Sequence, residues 1–463
     1  TFFVNKLILA GIITERINPR LESIFAVGVD EMSWDDLDST HYEWPKVEEV
    51  RVYRKAVRAL VDKLIDTLPL SLPITWESAW WPILMGIEHE RIHLETSSVL
   101  IRQHALEFVQ PHPAWQPCRK SGIAPDNALI QVPAGTVTVG KDRSNQQHYG
   151  WDNEYGSHTG DIPAFQASKY LVSNHEFLPF VEADGYHTKK YWQEEGRSWQ
   201  TFTQATHPTF WIKKDTGWHL RIMTEEVPMP WDWPVEVNYH EAKAFCNWKA
   251  ELSGQPARLP TEDEWYRLYD VVQLSDVPFN APANGNLHLD YYASSCPVSE
   301  FPHGEFFDIV GNAWQWTETP TYPFAGFDVH PLYDDFTTPT FDNQHNLIKG
   351  GSWIACGNES LHSSRYAFRR HFFQHAGFRY VVSDAPATQP GSNYETDKLL
   401  SEYAEFHYGD IYFNVPNFPK SLAEIAIAAM GDRPKRTALD LGCASGRSTF
   451  ELAREFDHVT GVD

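Results

Sequence analysis

The sequence has few cysteines, no long apolar run and a shortage of basic residues. Its 463 residues include five cysteines without CxxC spacing, which argues against a disulfide scaffold or a thiolate zinc site and favours a reducing, cytoplasmic location. No apolar run reaches the roughly 18 residues of a bilayer-spanning helix. With 62 acidic and 38 basic residues the net charge is −24, which argues against binding to nucleic acid or to an anionic membrane surface.

Residue patterns divide the chain into three predicted domains. Residues 1–110 carry apolar positions near a period of about 3.6, which predicts an all-α bundle with helices at 50–68 and 80–108. Residues 128–384 are short apolar runs broken by Gly, Pro, Asn and Asp, and predict an irregular α+β domain with helices near 241–252 and 261–272.

Two Pro-rich and polar stretches, 111–127 and 383–393, are predicted to be linkers. After them, residues 394–463 predict the start of a Rossmann-type α/β domain with a strand at 437–441. The chain opens on Thr1 without Met and closes on Asp463 directly after a predicted strand. We therefore expect a fragment cut at both ends.

Two histidines on a predicted helix form the sharpest candidate site. His89 and His93 are four positions apart, so both imidazoles lie on one face of a helix and can reach one ion. The alternative is a solvated helix face with two ordinary histidines. Glu95 lies on another side of the helix and is expected to be a hydrogen-bond partner. His104 is roughly 16 Å further along the axis and cannot share the ion.

Several short sequence motifs of the middle domain have ordinary local explanations, such as a helix capping box formed by Thr261 and Glu264. Taken together and in order, they resemble the domain of the formylglycine-generating enzymes, an irregular α+β fold of the C-type-lectin-like kind. The motifs include Val132-Pro133-Ala134-Gly135, Arg258-Leu259-Pro260-Thr261, Gly311-Asn312-Ala313-Trp314, Gly350-Gly351-Ser352-Trp353 and Gly377-Phe378-Arg379. That family's copper-binding cysteine pair corresponds to Ala355 and Ser360 here, and the nearby Cys356 has no partner. We therefore do not expect sulfatase maturation.

A glycine-rich turn follows the predicted strand near the C-terminus. The order is Asp440, then Gly442 and Gly446 in the turn, then a helix, and finally Asp463 at the end of the next strand. Glycine in such a turn lets the backbone approach a ligand, and the acidic residue can bind ribose hydroxyls. This spacing predicts an S-adenosylmethionine site, with Asp440, Gly442, Gly446 and Asp463 as binding residues.

A helical bundle carrying His-x-x-x-His-x-Glu, joined to such a domain, resembles the iron-dependent sulfoxide synthases. The stretches Arg16 to Arg20 and Asp30 to Asp36, with the methyltransferase-like C-terminus, look like the members of ovothiol biosynthesis. The resemblance implies a DinB-like bundle that holds Fe(II) through three histidines. Two of them are His89 and His93, and the third would lie upstream of Thr1. It also implies L-cysteine, L-histidine and O2 as substrates, 5-histidylcysteine sulfoxide as product, and a methyltransferase domain that is incomplete here and too small to transfer methyl groups.

The resemblance also implies roles for side chains of the middle domain. An active-site tyrosine is expected after Gly-Asn-x-Trp-x-Trp, and Tyr322 is the predicted residue, the alternative being a packed loop tyrosine. Arg369 and Arg370 are candidates for a substrate carboxylate clamp, or else surface residues, and Trp314 is a candidate substrate-binding residue. Ile92 replaces the Gln that precedes the second histidine in ergothioneine-type enzymes, which favours histidine over its trimethylated form.

Two other functions stay open at this point. The first is an ergothioneine-type synthase acting on hercynine. The second is a non-catalytic ligand-binding module, because this aromatic-rich fold also occurs in binding proteins. The sequence does not determine the oligomeric state.

Overall fold

A computed structural model describes residues 1–25, 43–144, 147–276, 283–385, 387, 397–409 and 417–462. The chain forms two compact units, Thr1–Gln389 and Pro390–Asp463. Among the described residues, no helix combines the length and the apolar character that crossing a membrane requires.

The first unit begins with helices that pack on one another. They are α1 (Phe2–Leu9), α2 (Pro19–Ile24), α3 (Val47–Thr67) and α4 (Trp81–Gln103). The predicted helices at 50–68 and 80–108 are confirmed in position, whereas α1 ends before Gly11, which has φ of +69°. Asn18 begins α2 by accepting a hydrogen bond from the Leu21 backbone N–H. α1 packs against α3 and α4, and Gly86 leaves room for the Phe3 ring.

The middle of the chain alternates short strands with helices, as its broken apolar runs predict. The strands are β1 (Leu129–Val132), β2 (Gly135–Lys141), β3 (Gly156–Ile162), β4 (Phe165–Ser168), β5 (Trp211–Lys214), β6 (Gly217–Arg221), β7 (Glu226–Pro228), β8 (Ala257–Arg258), β9 (Pro302–His303), β10 (Phe306–Phe307), β11 (Trp314–Pro320), β12 (His345–Lys349), β13 (Tyr366–Arg369), β14 (Ala376–Gly377) and β15 (Val381–Val382). The helices are α5 (Asn174–Glu182), α6 (Glu194–Thr203), α7 (Tyr239–Ser253), α8 (Glu262–Val271) and α9 (Asp334–Thr337). The two helices predicted here match α7 and α8, whose N-terminal capping boxes are both formed.

Two four-stranded sheets organise this domain, with strand orders β1-β4-β15-β8 and β13-β12-β11-β14. The largest fully buried side chains are mostly aromatic and include five tryptophans. A fully buried ion pair joins Arg365 to Glu262, with Nη2 to Oε2 at 3.1 Å, and Lys349 lies 3.6 Å from the same carboxylate. Aromatic packing and these internal charges hold together a domain with little regular structure.

The stretch 111–127 contains no helix or strand, but it is packed rather than free. The Cys118 backbone N–H donates to Ser294 Oγ at 2.8 Å, and the Trp233 indole donates to the Lys120 carbonyl at 2.9 Å. Backbone groups of this stretch therefore form hydrogen bonds with side chains of the neighbouring domain. Of the second predicted linker, residues 386 and 388–393 lie outside the described residues.

The second unit contains a helix pair and a strand–helix–strand segment. Its elements are α10 (Asp397–Tyr408), α11 (Phe418–Met430), β16 (Thr437–Leu441), α12 (Arg447–Leu452) and β17 (His458–Val462). β16 matches the predicted strand and pairs in parallel with β17, with Thr437 opposite His458. The helix between two parallel strands is the local arrangement of a βαβ unit.

Candidate functional site

His89 and His93 meet on one face of α4. Their ring centroids are 4.5 Å apart with an interplanar angle of 67°. Phe2 of α1 stacks on the His89 ring at 3.7 Å, so α1 covers one side of the pair. His93 is exposed, and it gives the pair an open side. The spacing of four therefore produces the pairing that the sequence predicts.

The His89 imidazole is suited to a metal. Burial, together with the nearby His93, Lys6 and the N-terminal amine, lowers its pKa to about 3, so the ring is neutral at pH 7. Its Nδ1 is buried and has no hydrogen-bond partner. A neutral ring with an unpartnered lone pair is what a first-row metal requires. The described residues contain no group of three or more His, Cys, Asp or Glu side chains that could hold a metal.

Glu95 joins α4 to the middle domain. Its Oε1 accepts hydrogen bonds from the Trp314 indole and from Ser352 Oγ, both at 2.7 Å. Burial raises the pKa of this carboxyl above its ordinary value. Trp314, which we predict to bind substrate, therefore has its N–H directed at Glu95, and Glu95 is the hydrogen-bond partner that the helix geometry suggests.

Further contacts fix the same side of α4. The Glu88 carboxylate accepts the Asn358 backbone N–H at 2.9 Å. Further along, Ser98 Oγ lies 2.7 Å from His375 Nε2. Beyond it Arg102 forms a buried ion pair with Glu236. The residues of α4 in these contacts recur at helical spacing on a face turned away from the histidines, so the middle domain sets the rotation of the helix that carries them.

The structure places two tyrosines differently with respect to the histidines. Tyr333 lies 6.1 Å from the His89 ring and 5.0 Å from the Phe2 ring, centroid to centroid. Tyr322 packs under the Arg365 guanidinium at 4.5 Å, and burial raises its pKa. Among the described ring contacts, Tyr322 has none with His89 or His93. Sequence reasoning did not single out Tyr333, whose ring comes next to His89 because the loop after β11 packs on α1.

The two arginines predicted to clamp a carboxylate lie at the end of β13. Arg370 donates to Asn346 Oδ1 at 2.7 Å, to Glu195 Oε2 at 2.9 Å and to the Asn343 carbonyl at 2.7 Å. Its donors are therefore directed at partners within the domain. Arg369 has a buried Nε without a described partner. The described hydrogen bonds and ion pairs connect neither arginine to α4.

Cys356 occupies the region where the formylglycine-generating enzymes carry their cysteine pair. Burial, together with the nearby Glu359 carboxylate, raises the pKa of its thiol to about 12. In the metal-free protein this thiol is therefore protonated at neutral pH.

The glycine-rich turn of the second unit has the predicted local shape. Gly442 and Gly446 have φ of +72° and +79°, and Gly446 immediately precedes α12. Asp440 Oδ2 accepts a hydrogen bond from Thr449 Oγ1 at 2.6 Å. Asp463 lies outside the described residues.

Sequence comparisons agree with the reading of the middle domain. A family model described as the sulfatase-modifying factor enzyme 1-like domain matches residues 119–268. The formylglycine-generating enzyme of Bos taurus is 26% identical over 304 residues, which cover 57% of this chain and 77% of that protein. The predicted formylglycine-generating-enzyme-like domain is thus confirmed.

Other relatives extend the match beyond that domain. Hercynine oxygenase of Mycolicibacterium smegmatis is 29% identical over 349 residues, covering 70% of this chain and 76% of that protein. Ergothioneine biosynthesis protein 1 of Schizosaccharomyces pombe is 25% identical over 371 residues, covering 73% of this chain and 43% of that protein. The solved structure of PvdO from Pseudomonas aeruginosa has 18% identity, a TM-score of 0.39 and coverage of 57% of this chain and 100% of that one.

Proposed function

We propose that this chain joins a cysteine thiol to the imidazole ring of a histidine-derived amino acid, using O2 and Fe(II) held by His89 and His93. The observation that carries the proposal is the neutral His89 ring, whose buried Nδ1 has no hydrogen-bond partner while His93 lies 4.5 Å away. Similarity to hercynine oxygenase over 70% of the chain supports the same chemistry. The third ligand is not among the described residues.

Hercynine, the trimethylated form of histidine, is the first candidate for the imidazole substrate. The names of the relatives support it better than they support L-histidine, which the resemblance to the ovothiol enzymes implies. One observation favours histidine: Ile92, beside His93, is an apolar residue packed against the core where ergothioneine-type enzymes carry Gln. We therefore propose hercynine first and L-histidine as the second candidate.

The overall reaction balances without a further reductant. An S–H and a C–H bond break, a C–S bond forms, one oxygen atom stays on sulfur and the other leaves as water with the two hydrogens. Fe(II), when bound, supplies the one-electron and oxygen chemistry that protein side chains lack. His89 offers its neutral Nδ1, and α4 is held in orientation by Glu95. The Tyr333 phenol, next to His89, is the described group placed to hold or donate a proton.

Product analysis with matched variants tests the proposal. The protein is loaded anaerobically with Fe(II), mixed with cysteine, O2 and either hercynine or L-histidine, and the products are identified by mass spectrometry. We expect the wild type to form a cysteine–imidazole adduct that carries one added oxygen. His93→Gln should lose both its bound iron and the formation of this adduct. His104→Gln changes an exposed histidine near the same helix and should retain both. Adduct formation by His93→Gln at the wild-type rate would overturn the assignment. A protein that binds imidazole ligands independently of both histidines, without product, would instead be a binding module.

We also infer that the second unit contributes to an S-adenosylmethionine site. The positive φ values of Gly442 and Gly446 and the position of Asp440 support this inference. Equilibrium dialysis with labelled S-adenosylmethionine should show weaker binding by Gly442→Val, because a side chain there requires a strained backbone. Equal binding by the variant and the wild type would contradict the site. We expect no methyl transfer from residues 394–463, and methylation of 5-thiohistidine by them would contradict that expectation.

A further inference from the structure

A groove of about 660 Å³ runs along the N-terminal end of α4. One wall is the segment before the helix together with its first turn, and the other is formed between β2 and β3 by Arg143, residues 147–149 and Tyr155. Its walls include the rings of Trp76, Trp81, Tyr149 and Tyr155, with Arg143 and Glu77 as charged groups. Its volume falls within the range of small-molecule sites, about 300–1,000 Å³, and such sites combine apolar walls with a few polar groups.

The two charged groups are placed to recognise opposite charges on one ligand. The Arg143 guanidinium lies 4.9 Å over the Trp76 ring, which holds it against the wall. Its ion pair with Asp328 is long, at 3.5 Å, and joins side chains that are 49% and 68% exposed. A planar guanidinium held in this way can donate to a carboxylate. Glu77 also lines the groove, and its carboxylate accepts the Thr75 hydroxyl at 2.7 Å.

The groove and the histidines lie along the same face of α4. Trp81 lines the groove, Met85 lines the adjoining small cavity, and His89 follows at the same spacing of four on one face of the helix. Tyr149 lines both spaces, and Tyr333 lines the small cavity and contacts His89. Eight residues of helix put the groove about 12 Å along the axis from His89.

The small cavity between the two places has a volume of about 10 Å³. That is room for about one water molecule and not for an amino acid. Tyr149 lines both the groove and this small cavity, so the groove is a space distinct from the surroundings of His89.

We propose that this groove is a docking site for the zwitterionic amino-acid substrate, with its carboxylate on Arg143 and its cationic nitrogen between Glu77 and the ring faces. All three substrates considered under the proposed function are such zwitterions, and the inference rests on that function. Aromatic rings attract ammonium groups, and a hydrogen bond between a guanidinium and a carboxylate is stronger than one between neutral groups. Both interactions are supplied here by residues outside the candidate iron site.

Calorimetric titration of the metal-free protein tests docking separately from turnover. Cysteine, L-histidine and hercynine are titrated one at a time into the wild type, Arg143→Gln, Arg143→Lys and Trp76→Leu. We expect at least one of them to bind the wild type, with Kd raised about tenfold or more by Arg143→Gln. Arg143→Lys keeps the charge and should lose less. Arg119→Gln, which removes an exposed arginine paired with Glu225 instead, should bind as the wild type does.

The outcomes separate this proposal from the proposed function. No binding by the wild type, or equal binding by the wild type and Arg143→Gln, would overturn the docking site even if the sulfoxide adduct forms. Arg143-dependent binding without any adduct would support the site and count against the reaction. Arg143 is a surface residue, so its variants test the idea even if Trp76→Leu does not fold.

Discussion

Replacing Arg102 with methionine should reduce the free energy that stabilises the packing of α4 on the middle domain by about 3–5 kcal/mol. Arg102 is 3% exposed, and its guanidinium donates to the Glu236 carboxylate and, at 2.6 Å, to the Arg221 carbonyl. Without it, the Glu236 carboxylate stays buried, hydrogen-bonded to Ser295 and 3.5 Å from His375. Removing one partner of a buried ion pair costs about this much, because the remaining charge is uncompensated. Methionine fills much of the space of the arginine stem, so the loss is mainly electrostatic.

Hydrogen exchange of peptides from α4, read by mass spectrometry, measures this loosening. A destabilisation of about 3 kcal/mol corresponds to roughly a hundredfold loss of protection. Arg58→Met is the matched control, because its 3.6 Å pair with Asp62 joins side chains that are 83% and 62% exposed. Such a pair contributes about 0–1 kcal/mol. Adding Glu236→Gln to Arg102→Met should restore part of the protection. Wild-type protection of α4 in Arg102→Met would refute the reasoning that the domain holds this helix.

Three further predictions follow from the surroundings of the histidines. Tyr333→Phe should slow adduct formation about a hundredfold, as loss of a proton donor does; a larger loss in Tyr322→Phe would instead favour the tyrosine predicted from sequence. In the metal-free protein His89 should contribute a loss of up to about 1.4 kcal/mol of stability per pH unit between pH 6.5 and about 3, because its lowered pKa lets only the unfolded chain take up its proton. His89→Gln should remove that slope in urea titrations, and a slope unchanged in the variant would contradict it. Gly86→Ala should lower the melting temperature, because its methyl group would overlap the Phe3 ring. A rise would mean that helix propensity outweighs packing here.

The sequence was sufficient for features that depend on local spacing. The pairing of His89 with His93 follows from a separation of four on a helix, and α7 and α8 follow from their apolar period and capping residues. The middle domain was recognisable from its sequence motifs and the order in which they occur. In each case the information lies within a few consecutive residues or in a pattern shared with known proteins.

What the sequence did not reveal depends on long-range packing. Tyr333 and the groove residue Arg143 are far along the chain from α4, and no local spacing indicates that they approach it. Arg370 was a reasonable carboxylate ligand by residue type, but its donors are directed at Glu195, Asn346 and Asn343. From its angle on the helix Glu95 was predicted to be a hydrogen-bond partner, and its bonds confirm that role, but only the folded structure identified Trp314 and Ser352 as the groups it bonds.

The most direct test of the account is the reaction itself under isotopically labelled O2. Fe(II)-loaded protein is given cysteine with hercynine, and in a second sample cysteine with L-histidine, and the products are analysed by mass spectrometry. We expect a cysteine–imidazole sulfoxide that carries one labelled oxygen atom and that is not formed by His89→Gln or His93→Gln. Cysteine sulfinate as the sole product with both imidazoles, or an adduct that persists in both variants, would contradict it.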